Sequence, residues 1–93
     1  MLEKEIEKKV CDYAKSKGFL AYKFVSPGHA FVPDRLLITP AGEAFFIEFK
    51  REGLKATSGQ EREHVRLRNQ NVKVFVIDNV LDGMEVVDRM DTR

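Results

Sequence analysis

The stretch VPDRLLITPAGEAFFIEFK, running from Val32 to Lys50, decides the fold. It reads as two short apolar strands, 32–39 and 44–49, joined by a turn at Pro40-Ala41-Gly42. Three charges interrupt it: Asp34, Glu48 and Lys50. Aspartate is disfavoured in strands, and charges are rarely buried unless paired or metal-bound. Side chains alternate along a strand, so Glu48 and Lys50 share one face while Phe45, Ile47 and Phe49 take the other. The phenylalanine side is therefore the predicted core. Asp34 follows Pro33, whose fixed φ and missing N–H suit a strand entrance. Such a position lets a side chain reach a cleft.

Residues 2–17 precede this hairpin with helical periodicity: Leu2, Ile6, Val10, Tyr13 and Ala14 fall on one face. Gly18 is placed to stop the helix. FLAYKFV, 19–25, reads as a strand, and SPGHA, 26–30, as a loop. After the hairpin, 51–59 is a polar loop. Ser58 stands three residues before Glu61, the spacing of a capping box, and predicts a helix over 59–69 with Val65 and Leu67 inward. VKVFVID, 72–78, alternates as a strand, and 79–90 reads as a short helix or turn. The order α-β-β-β-α-β, with a terminal α, predicts an α/β fold: a small mixed sheet with helices on its faces.

The chain has 93 residues, which predicts one domain over 1–93. With 43% hydrophobic and 33% charged residues it has the composition of a globular protein. No apolar run approaches membrane-span length, so no membrane partner is expected. Lys4, Lys8 and Lys9 interrupt any signal-peptide core. Cys11 is the single cysteine, which excludes an intrachain disulfide and predicts a cytoplasmic location; it is read as a buried small hydrophobe. Net charge is only +1, so a nucleic-acid partner requires locally arranged charge.

Two carboxylates from adjacent strands, Asp34 and Glu48, can converge on one Mg²⁺, which takes oxygen ligands and retains several waters. The Phe49 backbone carbonyl is a further candidate ligand. Lys50 would then face the water or the scissile phosphate and offset developing negative charge. The bland alternative is a Glu48–Lys50 ion pair without function. In the first helix Glu3 falls within the apolar stripe and Glu7 at its edge; a first-turn glutamate that favours the helix dipole explains Glu3 equally well. Lys23, Ser26 and His29 are candidate phosphate contacts. His29 is read as a loop residue rather than a ligand, because Mg²⁺ prefers oxygen. Gln60, His64 and Arg68 share one helix face, either as a track along a DNA strand or as a solvated face. Lys55, Arg62 and Arg66 are read as surface charge.

The pattern of Pro33-Asp34 and Glu48-Phe49-Lys50 resembles the PD-(D/E)xK nuclease superfamily. Within it, the chain resembles the VRR-NUC family through a first-helix glutamate, YKFVSPG (22–28), PDRL (33–36), IEFK (47–50) and SGQEREHVRLRNQNVKVFVID (58–78). These follow in order over nearly the whole chain. The resemblance implies a restriction-endonuclease-like fold and metal-dependent nuclease chemistry. It implies Asp34 and Glu48 as metal carboxylates, Lys50 as catalytic lysine and Gln60 as the glutamine that opens the second helix near the site. Glu3 matches the first-helix glutamate better than Glu7. Stand-alone members of this size, often from phages and bacteria, resemble Holliday junction resolvases. The expectation is thus a Mg²⁺- or Mn²⁺-dependent endonuclease acting on branched or four-way junction DNA as a homodimer in the cytoplasm, with no small-molecule substrate. The rivals are a flap, nicking or duplex nuclease and an inactive DNA-binding module. FLAYKFV and the apolar positions Val80, Leu81, Met84, Val86 and Val87 are expected to supply the dimer surface. One departure stands out: the family usually carries glycine two residues before the Pro-Asp pair, where this chain has Phe31, so the loop is expected to bend differently.

Overall fold

The computed structural model describes residues 1–93. Its elements are α1 (Glu3–Ser16), β1 (Leu20–Lys23), β2 (Arg35–Ile38), β3 (Ala44–Phe49), α2 (Ser58–Asn69), β4 (Val74–Ile77) and α3 (Val80–Met90). The strands form one sheet in the order β1-β2-β3-β4. β1–β2 pair antiparallel across the loop 24–34 and β2–β3 across the short turn 39–43, whereas β3–β4 pair parallel, with α2 as the crossover that a parallel pair requires. The α/β architecture and its element order agree with the reading of the sequence.

One sheet face carries the core. Phe45, Ile47 and Phe49 of β3 are fully buried with Leu37 and Ile77, beneath Ile6, Val10 and Ala14 of α1 and Val86, Val87 and Met90 of α3. Cys11 is buried among them. Gly83 lets α3 approach α1, since a Cβ there would run into Val10. The Val86 and Val87 side chains are therefore spent inside the protomer and supply no dimer surface.

Helix ends explain several boundaries. Gly18, at φ 86°, closes α1 as expected: its N–H donates to the Lys15 carbonyl and the Phe19 N–H to that of Ala14. Asn71, at φ 64°, does the same for α2, with the Val72 N–H on the Leu67 carbonyl. This draws Val72 into the cap, so β4 starts at Val74 instead of residue 72. The capping box of α2 belongs to Thr57 and Gln60, one residue upstream of the expected Ser58–Glu61 pair. β1 and β2 are shorter than expected because residues 24–34 form a loop that crosses from one to the other. In it Phe31 adopts φ 67°. That is the left-handed backbone glycine takes without strain, and it costs a bulky residue about 1–3 kcal/mol.

The other sheet face lies partly under α2. Val65 is 51% exposed and does not point inward; the inward residues are Gly59, Glu63 and His64. The reason is what α2 covers. Glu48 lies on this face beside Gln60 and His64, while Glu63 pairs with His29 and Gly59 packs on Phe31, so apolar periodicity misassigns the side.

Candidate active site

Asp34 stands where β2 has not yet begun and β3 is about to end. Its carbonyl accepts the Phe24 N–H at 2.9 Å, extending the β1 pairing by one residue. Its side-chain Oδ2 accepts the Phe49 N–H at 2.8 Å. Arg35 pairs with Ile47, and the same register would set Pro33 opposite Phe49. A proline has no N–H, so it offers the Phe49 carbonyl no ladder donor. The Asp34 carboxylate replaces one ladder acceptor, and the Phe49 carbonyl remains on the same side of the strand.

Glu48 is 2% exposed beneath α2. Gln60 Nε2 donates to its Oε2 at 3.4 Å. Its Oε1 has no hydrogen-bond partner; His64 Nε2, itself buried and unpartnered, lies 3.5 Å away. Burial pushes the Glu48 carboxyl up to about 8, and the nearby charge of Asp34 pushes the same way. Lys50 opposes this and Glu3 adds to it. Asp34, Glu48 and Lys50 thus belong to one electrostatic site, with Glu3 at its margin. Glu3 is exposed in the first turn of α1. Glu7 is engaged elsewhere, accepting from Arg35 Nε at 2.6 Å.

No three His, Cys, Asp or Glu side chains converge into a metal cage. The donor set nevertheless fits a hard cation of the Mg²⁺ type. Such an ion needs only one or two carboxylates, and Glu48 Oε1 is a buried acceptor without a donor. A cation would also relieve the repulsion between the two carboxylates.

The remaining sequence candidates are dispersed. Lys23 is exposed on β1 and lines a groove of about 410 Å³ beside Lys4, Lys8, Lys15 and Arg35, with Glu7 and Asp12 as the only acids. Ser26 lies in the 24–34 loop, and its carbonyl accepts the His29 N–H. His29 Nε2 lies 2.6 Å from Glu63 Oε1 and ties that loop to α2. Arg68 donates to the Val74 carbonyl at 2.6 Å. His64 is 1% exposed, which corrects its placement on a DNA track: it faces Glu48. Burial lowers the His64 pKa, as do Arg68 and Lys50, so the ring is neutral near pH 7. Sequence reasoning missed this contact, although Gln60 and His64 stand four apart on one helix face. It also missed the packing of the Phe31 ring on Gly59, where a Cβ would lie 2.8 Å from the ring.

No family model matches the chain. A protein described as "Putative nuclease p44", from Acyrthosiphon pisum secondary endosymbiont phage 1, is 46% identical over 77 residues, which cover 83% of each chain. A solved structure described as "VRR_NUC domain" superposes with a TM-score of 0.87 at 29% identity, covering 95% of this chain and 96% of that one. With this fold, this order of elements and these relatives, the chain belongs to the VRR-NUC family.

Proposed function

We propose that the protein is a divalent-metal-dependent endodeoxyribonuclease that hydrolyses phosphodiester bonds in branched DNA, four-way junctions foremost, as a homodimer. The phage relative supports a phage-encoded enzyme acting in the host cytoplasm. The observation that carries the reading is the buried Glu48 carboxyl, which shares its site with Asp34 and lies two residues from Lys50.

Asp34 and Glu48 would hold Mg²⁺ or Mn²⁺, with the Phe49 carbonyl as a third oxygen. A bound cation supplies a water of lowered pKa and polarises the phosphate. Lys50 brings positive charge to oxygens that gain negative charge as water attacks phosphorus and the leaving oxygen departs. Gln60 steadies Glu48 through its amide. The groove along α1 has five cations against two carboxylates and suits a phosphate backbone. Dimer formation is supported by the face of the edge strand β1, where Leu20 and Tyr22 are 49% and 52% exposed.

The test is a labelled four-way junction incubated with and without Mg²⁺ beside flap, nicked and duplex DNA. Cleavage of the junction that requires Mg²⁺ supports the reading. Binding without cleavage under every metal condition would convert it to that of an inactive binder.

A further inference from the structure

Two buried polar atoms in this molecule have no partner, and they face each other: Glu48 Oε1 and His64 Nε2, 3.5 Å apart. Buried polar groups are almost always satisfied, so such a pair needs an explanation. The His64 side chain is among the largest fully buried ones, and it comes from the same helix face as Gln60, which touches the other oxygen of the same carboxyl. Helix α2 therefore addresses both oxygens of Glu48, one by a hydrogen bond and one by a donor held just out of reach.

We propose that His64 is a positioning residue for Glu48: its Nε2–H donates to Oε1 of the carboxylate when a cation is bound, which fixes the carboxylate plane while the lone pairs still free face the metal. The inference rests on the metal-dependent reading above. A neutral imidazole with its proton on Nε2 is a donor to a carboxylate, and ligating carboxylates are commonly held by such outer partners. The 3.5 Å separation lies just beyond ordinary hydrogen-bond distance. Glutamine at position 64 would place an amide nitrogen near the same point, whereas leucine fills the space and removes the donor.

The experiment is calorimetric titration of Mn²⁺ into wild type, His64→Gln and His64→Leu, with folding checked by circular dichroism. Loss of an outer partner costs about 10–100-fold in metal affinity. His64→Leu is expected to bind Mn²⁺ at least tenfold more weakly, and His64→Gln within about threefold of wild type. Nitrogen-15 spectra of the imidazole supply a second readout that a packing role would not move. On addition of Mg²⁺ the His64 Nε2–H should become protected from exchange, and the change should vanish in Glu48→Gln. Folded His64→Leu with wild-type affinity overturns the proposal, and so does an unchanged His64 resonance in metal-loaded wild type, even where the leucine variant does not fold. No Mn²⁺ binding by wild type itself overturns the metal reading and the positioning role together, a result distinct from either of these.

Discussion

The Asp34 carboxylate accepts the backbone N–H of Phe49 at 2.8 Å, so a candidate metal ligand also finishes the β2–β3 ladder. The two roles can be separated by substitution. Asp34→Asn keeps an acceptor for the amide but removes the charge a cation requires, whereas Asp34→Ala removes both. Both variants are expected to lose cleavage. The alanine variant should lose more stability than the asparagine variant, by about 1 kcal/mol or more, because it alone leaves the Phe49 N–H without an acceptor. Urea denaturation beside the cleavage assay checks this; equal stability of the two variants would deny Asp34 its structural share.

Glu48 makes the metal-free protein pH-sensitive. Its carboxyl is raised from 4.5 to about 8 in the folded state. Between these values the unfolded chain has released the proton while the folded chain still holds it. Stability therefore falls as pH rises through this window and levels off above it, by an amount on the order of a few kcal/mol. Unfolding free energies measured from pH 5 to 8 should show the decline in wild type, a much flatter profile in Glu48→Gln, and recovery of wild type on adding Mg²⁺. A flat metal-free profile in wild type would contradict the burial of a carboxyl with this proton affinity.

Lys50 lowers the proton affinity of Glu48 by its charge and is half-buried on the same side. Lys50→Ala is expected to slow the single-turnover cleavage rate at saturating enzyme by about 100-fold or more, as loss of a transition-state charge partner does. DNA affinity should change little. A rate within a few-fold of wild type assigns the lysine to the ground state.

The exposed apolar side of β1 predicts self-association. Light scattering at micromolar concentration is expected to report a dimer for wild type and a monomer for Leu20→Glu/Tyr22→Glu, which places charge on that face without touching the core. A monomer in wild type would remove the two-fold arrangement that paired incisions require. A dimer in both would move the contact away from β1.

Much of this was legible in the sequence because period-two and period-3.6 patterns are strong signals in a short chain. The alternation of Phe45, Ile47 and Phe49 against Glu48 set the core side of the sheet, and Gly18 marked the end of α1. The illegible parts depend on tertiary partners. Val65 appears inward by hydropathy, but α2 packs over a carboxylate, so its buried side holds Glu63 and His64. The valines of the last segment resemble spare surface until α3 folds back on α1. The Asp34–Phe49 bond could not be foreseen either, because it depends on β2 stopping short and leaving one amide of β3 unmet.

Phe31 and Gly59 form a linked pair, and the link reaches beyond this chain. A phenylalanine holds a glycine-type backbone in the loop before Asp34, and its ring occupies the place a side chain at residue 59 would need. The two positions should therefore covary among relatives: where glycine stands at the position of Phe31, the constraint on the position of Gly59 is lifted and larger residues become acceptable there. A lineage that acquired the aromatic residue first had to keep the second position small. A phylogeny of phage relatives can test whether the two positions change together.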